Sequence, residues 1–180
     1  MIGVSGGVDS GVVSTLCAMT GLKVLALEMP IRQQKDQASR ALEHIDFLKN
    51  KFPNVEGFTV DLNEPFEALY KTFAVKDDEF PAEKLAFANT RSRLRMLTLY
   101  YYGQINGLLV CGTGNKVEDF GIGFYTKYGD GGVDVSPIAD LYKTEVYALA
   151  RALDLPESIK NAIPTDGLWD VDRTDEQQIG

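Results

Sequence analysis

A glycine-rich turn near the start of the chain, within residues 2–10 (IGVSGGVDS), is its clearest sequence pattern. The apolar run at residues 2–4 is typical of a short strand, and residues 11–19 place apolar side chains on one helical face. The turn therefore lies between a strand and a helix. Backbone N–H groups and the positive end of the helix dipole favour an anion at such a position.

Residues 5–10 (SGGVDS), here named the phosphate loop, have side chains suited to phosphate. Two glycines let the main chain approach phosphate oxygens closely, and two serines add hydroxyl donors. Asp9 would repel phosphate unless a cation lay between them, so we expect it to be a Mg²⁺ ligand. The loop has neither the lysine of the GxxxxGK[ST] motif nor the spacing of GxGxxG. A plain connecting turn is the structural alternative.

Strand-like and helix-like segments alternate up to residue 112, which is typical of an α/β fold with a mainly parallel sheet. Residues 113–140 are glycine-rich and aperiodic, so we predict a long functional loop with a short helical turn at its start. From residue 156 onward the pattern is polar and irregular. Further strands are predicted at residues 23–29, 57–62 and 108–112, and helices at residues 37–51, 64–73, 84–105 and 143–153.

Composition excludes several classes of protein. The chain of 180 residues has room for one domain, and its net charge of −8 argues against general nucleic-acid binding. No apolar run reaches the roughly 20 residues of a membrane span, so no membrane partner is expected. Cys17 and Cys111 lie in apolar contexts, which predicts buried free thiols and a reducing cytoplasm.

The phosphate loop resembles that of the ATP pyrophosphatases, the adenine nucleotide alpha hydrolase-like superfamily, which split ATP between the α and β phosphates. Later segments narrow the resemblance. In order and spacing they are similar to the NAD synthetase family across nearly the whole chain. These segments are residues 89–96 (NTRSRLRM), 111–118 (CGTGNKVE), 124–134 (FYTKYGDGGVD), 164–169 (PTDGLW) and 175–180 (DEQQIG).

The resemblance implies a doubly wound, mainly parallel, Rossmann-like sheet of five strands with helices on both faces. It implies that residues 1–180 are a single NAD synthetase domain, truncated at both ends. It also implies a cytoplasmic homodimer that uses free ammonia, with the dinucleotide site at the subunit interface.

The resemblance also assigns residues to ligands. Asp9 and Glu118 would bind Mg²⁺, and Arg93, Lys127 and Asp134 would bind deamido-NAD. Gln33 and Gln34 would also touch ATP, and no catalytic nucleophile is implied. The residues that would bind ATP are Gly3, Val4, Ser5, Gly6, Gly7, Val8, Asp9, Ser10, Thr113, Lys143 and Thr165.

The implied activity is ATP-dependent amidation of deamido-NAD with ammonia, giving NAD, AMP and pyrophosphate through an adenylated intermediate. Mg²⁺ is the implied cofactor and ATP the co-substrate, and charge stabilisation would come from Lys143 and from Asp9 through Mg²⁺. Two alternatives stay open at this point. One is another ATP pyrophosphatase of the GMP synthetase kind, and the other is a non-catalytic nucleotide-binding fragment.

Overall fold

The computed structural model describes residues 1–33, 35–73 and 81–162. Within these ranges a small parallel sheet is surrounded by α-helices, with one π-helix in the long loop. The strands are β1 (Ile2–Gly3), β2 (Val24–Glu28) and β3 (Val55–Thr59). The α-helices are α1 (Val8–Met19), α2 (Lys35–Lys51), α3 (Asn63–Phe73), α4 (Pro81–Asn106), α5 (Lys143–Ala152) and α6 (Glu157–Lys160), and the π-helix is Lys116–Ile122.

All strand pairs in the sheet are parallel, with β2 between β1 and β3. The described residues contain three strands rather than the predicted five. Cys111 pairs with Ile2, and Val135 pairs with Cys111, but only as single parallel bridges beyond β1. The segment predicted as a strand at residues 108–112 forms none because β1 offers only two residues to pair with. In addition, the N–H of Val110 donates to the side chain of Asp134 at 2.8 Å.

Helices cover both faces of the sheet, as predicted for a doubly wound fold. Side chains of a strand alternate between faces, so β2 contributes to two separate hydrophobic clusters. Val24 and Ala26 pack with residues of α1, α2, α5 and α6. Leu25 and Leu27 pack on the opposite face with residues of α3 and α4. The α/β class is therefore confirmed by two distinct cores on either side of one sheet.

The turn from β1 into α1 requires glycine at position 6. Its backbone φ is +84°, and a Cβ there would lie 2.8 Å from the carbonyl oxygen of Gln37 on α2. A left-handed conformation costs any other residue roughly 1–2 kcal/mol before that contact is counted. The phosphate loop is thus shaped by backbone sterics and by the close packing of α2 behind it.

The chain after residue 156 was predicted to be irregular, and for residues 157–160 that was wrong. Ile159 of α6 is fully buried against α1, where a Cβ on Gly11 would lie 2.8 Å from its Cγ2. The short helix exists because its one apolar anchor fills this gap, a tertiary cause that periodicity over four residues does not reveal. In the described residues, no helix has the length and apolarity needed to cross a membrane.

Candidate active site

A cavity of about 510 Å³ opens where β1 leads into the phosphate loop. One wall is the loop itself, a second is α4, and a third is the chain that follows Cys111. The predicted ATP residues that line it are Gly3, Val4, Ser5, Gly6, Gly7, Val8, Asp9, Ser10, Thr113 and Lys143. The predicted contacts Thr165 and Gln34 lie outside the described residues. The structure therefore brings ten of the predicted residues around one space.

Two serines hold the phosphate loop in shape. The hydroxyl of Ser10 donates to the carbonyl of Gly7 at 3.0 Å and accepts from the N–H of Ser5 at 3.2 Å. Ser10 is buried, whereas Ser5 is exposed at the cavity. The Ser5 hydroxyl lies 3.0 Å from that of Ser10 and accepts from the N–H of Gly7 at 3.3 Å, so both serines maintain the loop, and Ser5 is the one that a ligand in the cavity would reach.

Lys143 forms ion pairs with both predicted metal ligands. Its Nζ lies 2.5 Å from Oδ2 of Asp9 and 3.0 Å from Oε1 of Glu118. Burial lowers the pKa of Lys143, but the charges of Asp9 and Glu118 outweigh burial and raise that pKa above its ordinary value. The lysine is therefore a cation at neutral pH, placed at the mouth of the phosphate loop.

Asn115 positions both carboxylates. It caps the π-helix, where its Oδ1 accepts from the N–H groups of Val117 and Glu118, and its Nδ2 donates to Asp9 at 3.2 Å. Single-turn π-helices occur frequently at functional sites. Asn115 was not predicted as a site residue, although asparagine is a preferred helix-capping residue and is therefore a local signal for this role.

The donor set fits a Mg²⁺ ion shared with phosphate. Oxygens of Asp9 and Glu118 converge on one position, now held by the ammonium of Lys143. Mg²⁺ is usually held by one or two carboxylates together with substrate phosphates and waters. Across residues 1–33, 35–73 and 81–162 no group of three or more His, Cys, Asp or Glu side chains could hold a metal ion alone.

Asp119 is a further acidic residue at the cavity, beside Asp9 and Glu118, and was not predicted from the sequence. Burial raises its pKa to about 6, and the nearby charges of Asp130, Glu118 and Asp9 add to the effect. Its carboxylate occupies the space beside Gly114, where any side chain would collide with it. The negative potential at this wall favours cationic or metal-bound ligands.

The loop at residues 124–132 is attached to α4 by a compact hydrogen-bond network. Ser92 donates to Oδ1 of Asp130 at 2.6 Å and accepts from the Asp130 N–H at 2.8 Å. Thr126 donates through its N–H to the same carboxylate and through its hydroxyl to Asn89 at 2.6 Å. Gly129 packs so closely on Ser92 that a Cβ would collide with the hydroxyl. The loop thus forms a fixed wall of the cavity.

None of the three described residues predicted to bind deamido-NAD lines this cavity. Arg93 donates to the backbone carbonyl of Lys127 at 3.1 Å, so these two lie together on the exposed side of α4. Asp134 is engaged elsewhere, with Tyr100 and the N–H of Val110. Gln33 does line the cavity.

A phosphate loop at the end of a parallel strand, with a lysine and two carboxylates converging on it, defines a nucleotide-binding α/β domain. The sequence model of the NAD synthase family matches residues 1–180. The chain belongs to the NAD synthase family.

Known relatives agree with that assignment. The NH(3)-dependent NAD(+) synthetase of Carboxydothermus hydrogenoformans is 42% identical over 184 residues, covering 100% of this chain and 71% of the relative. The structure of NMN synthetase from Francisella tularensis superimposes with a TM-score of 0.87 at 36% identity, over 99% of this chain and 71% of that one. The NH3-dependent NAD synthetase from Campylobacter jejuni, in complex with the nitrate ion, has a TM-score of 0.76 at 34% identity. The match covers 88% of this chain and 65% of that one.

Proposed function

We propose that this chain is an ATP-dependent ligase that amidates deamido-NAD with ammonia, giving NAD, AMP and pyrophosphate. Membership of the NAD synthase family supports the reaction class. The observation that carries the proposal is the convergence of the phosphate loop with Lys143, Asp9 and Glu118 on one cavity. Phosphate-binding groups and a pair of metal-binding carboxylates are what an adenylating site requires.

The chemistry follows from the poor reactivity of a carboxylate. The negative charge of the carboxylate is delocalised, and its oxygen is a poor leaving group. Ammonia therefore does not displace that oxygen directly. In the proposed first step the nicotinate carboxylate attacks the α-phosphate of ATP, and pyrophosphate leaves. Ammonia then displaces AMP from the mixed anhydride. Charge develops on phosphate oxygens, which the N–H groups of the phosphate loop and the ammonium of Lys143 would stabilise.

Asp9 and Glu118 are the residues that would hold Mg²⁺. When bound, the ion would neutralise phosphate charge at the site. Lys143 would then donate to the phosphates, because both of its present partners would be engaged with the metal. The loop at residues 124–132, which hydrogen bonds hold against α4, would exclude water and so protect the adenylate from hydrolysis.

Deamido-NAD would reach the cavity from the surface that carries Arg93 and Lys127. Both side chains are exposed, and Arg93 is held next to Lys127 by its bond to the Lys127 carbonyl, so both cations are available to a pyrophosphate. Asp134 would contribute from the neighbouring turn. In this arrangement ATP occupies the cavity and the second nucleotide lies across its edge.

The same side of α4 supports a homodimer. Leu97, Tyr101 and Ile105 follow one another at intervals of four residues, and each is 61% exposed. Arg93 lies one turn before this apolar stripe, so a second copy docked there would adjoin the proposed deamido-NAD site. Exposed apolar stripes of this kind mark interfaces.

Light scattering measures the dimer. The wild type should have the mass of a dimer, and Tyr101→Glu should reduce it to that of a monomer. Leu22→Asp, at an exposed site on another face, should leave the dimer mass unchanged, and a wild-type monomer would contradict the proposal.

We place the enzyme in the cytoplasm. Its substrates ATP and deamido-NAD are intracellular nucleotides, and Cys17 and Cys111 are both free, as expected for a reducing compartment. Fractionation of cells that express the tagged chain tests this.

The main test is a product assay with ATP, Mg²⁺, ammonium and deamido-NAD. NAD, AMP and pyrophosphate should appear in equal amounts. Asp9→Asn should abolish Mg²⁺-dependent turnover with an unchanged circular dichroism spectrum. The absence of NAD with the folded wild-type protein would refute the proposal, and full turnover by Asp9→Asn would remove that residue from its role.

A second substrate is favoured by one comparison. The structure that covers 99% of this chain, with a TM-score of 0.87, is described as an NMN synthetase. The same adenylation chemistry would amidate nicotinate mononucleotide, since the reacting carboxylate is identical. Only the distal nucleotide of the substrate differs.

Competition between the two substrates decides between these functions. The ratio of kcat/KM for deamido-NAD and nicotinate mononucleotide measures the preference. Lys127→Met should raise KM for deamido-NAD if that side chain contacts the pyrophosphate, and should leave KM for the mononucleotide nearly unchanged. A larger kcat/KM for nicotinate mononucleotide would establish the second function in place of the first.

A further inference from the structure

Cys17 and Cys111 are 94 residues apart in sequence, yet their Sγ atoms lie 3.6 Å apart. Both are free, and both are partly buried at the margin of the same hydrophobic cluster. Cys17 lies near the C-terminal end of α1, and Cys111 forms the bridge that extends the sheet beyond β1. Their contact is therefore imposed by the packing of α1 on the sheet.

A disulfide has sulfurs about 2.05 Å apart, so this pair would have to approach by roughly 1.5 Å. Small rotations of the two side chains, with a slight shift of α1, supply that movement. We propose that Cys17 and Cys111 are a modification site, at which a small disulfide such as oxidised glutathione converts the two thiols into a reversible intramolecular disulfide.

The geometry assigns an order to the two sulfurs. Cys111 lines the ligand cavity, whereas Cys17 does not, so only Cys111 faces a space that admits a small disulfide. The Cys17 thiol donates to Cys111 and lowers its pKa to about 7, despite burial that opposes this. The same hydrogen bond, together with burial, raises the pKa of Cys17. Cys111 is the attacking thiol and Cys17 the resolving one.

The reaction balances without a further reactant. The Cys111 thiolate attacks one sulfur of oxidised glutathione, which gives a mixed disulfide and releases one glutathione thiolate. Cys17 then loses its proton and attacks the Cys111 sulfur, which releases the second glutathione. Two protein thiols are oxidised by two electrons, and one oxidised glutathione becomes two reduced molecules.

The disulfide would disturb the site next to it. Cys111 begins the segment that carries Thr113 and Asn115, and Asn115 positions Asp9. Pulling Cys111 toward α1 moves this segment relative to the phosphate loop. Displacements of about 1 Å cost catalysis as much as 100-fold, so we expect turnover to fall roughly 10- to 100-fold. This consequence rests on the proposed function, whereas formation of the disulfide does not.

The experiment treats the reduced, full chain with oxidised glutathione and maps peptides without reduction. The expected product joins tryptic fragments 1–23 and 96–116, and dithiothreitol should separate them again. Cys17→Ser should retain basal activity and stop at a glutathione adduct on Cys111. Cys111→Ser should react at least tenfold more slowly. ATP should slow the reaction of the wild-type protein, because it would fill the cavity that Cys111 lines.

Failure to form the linked fragments, with both thiols still free in the folded protein, would overturn the proposal. Links found only between two copies of the chain would overturn it as well. If the fragments are linked but turnover is unchanged, the expected fall in turnover is wrong, while the disulfide itself is established. A protein inactive in both redox states would refute the proposed function, while the linked fragments would still establish the disulfide.

Discussion

Acidification should destabilise the fold through one buried imidazole, that of His44 on α2. The ring is fully buried, and its Nε2 lies 2.9 Å from the hydroxyl of Ser14. That hydroxyl donates its single proton to the backbone carbonyl of Ser10 or Gly11, so its oxygen accepts from Nε2–H. Nδ1 has no hydrogen-bond partner among the described residues. Protonation would place a charged, unpaired N–H in the core.

The magnitude follows from the pKa of His44, which burial lowers from 6.5 to about 4. Because the folded state holds the proton less tightly than the unfolded chain, stability is full above pH 6.5 and is lost as the pH falls toward 4. Linkage gives a loss of about 2 kcal/mol at pH 5 and about 3 kcal/mol at pH 4. Such a loss is a large share of the stability of a typical domain.

Urea unfolding from pH 7.5 to pH 4 measures this loss, and His44→Gln is the matched variant. Glutamine still donates to Ser14 but does not titrate, so the carboxylates that also titrate in this range cancel in the comparison. The wild-type free energy of unfolding should fall by about 3 kcal/mol more than that of the variant. His44 is the only histidine in the chain, so its NMR signal reports the folded-state pKa directly.

Parallel loss of stability in the wild type and in His44→Gln would show that protonation of His44 does not destabilise the fold. An imidazole signal that titrates near pH 6.5 in the folded protein would do the same. Either result would mean that solvent reaches the ring, in conflict with its burial against Gly11 and Ser14 of α1.

Three further predictions concern the site. Gly6→Ala places a Cβ against the carbonyl of Gln37 at a residue whose φ is positive. Calorimetry should therefore find that ATP binding is lost in a protein that still folds. Unchanged affinity would show that the loop does not require glycine at this position. Ser92→Ala removes two hydrogen bonds to Asp130, each worth about 1 kcal/mol. Protease should therefore cleave residues 124–132 faster than in the wild type. Equal cleavage rates would show that these bonds do not hold the loop. Lys143→Met should lower turnover roughly 100- to 1000-fold in the product assay, and a loss below tenfold would exclude charge stabilisation by this lysine.

Local patterns were sufficient for the phosphate loop and for most of the helices. An anion-binding turn depends on adjacent glycines, the preceding strand and the following helix, all within about ten residues. The apolar stripe of residues 37–51 likewise predicted α2, which spans Lys35–Lys51. Fold class followed from the alternation of elements, and the two hydrophobic clusters confirm it.

The candidate site was only partly predictable. Resemblance to a family identified Lys143 and Glu118, but the ion pairs that join them to Asp9 lie in no motif. The roles of Ser92 and Asp130 were missed, since their bond links a helix to a loop 38 residues away. Periodicity also predicted a strand at residues 108–112, where the structure has only two isolated bridges, both at Cys111, because pairing depends on the length of the neighbouring strand.

Backbone sterics and side-chain periodicity act over a few residues, which is why the sequence alone determines the loop, the longer helices and their order. Distances across the sheet are decided differently. The packing of α5 against α1 places Lys143 on Asp9 across 134 residues, and the packing of α1 on the sheet places Cys111 against Cys17 across 94. Contacts of this kind depend on which strands are neighbours and on how helices pack over them, so only the tertiary structure reveals the ion-paired site and the adjoining thiols.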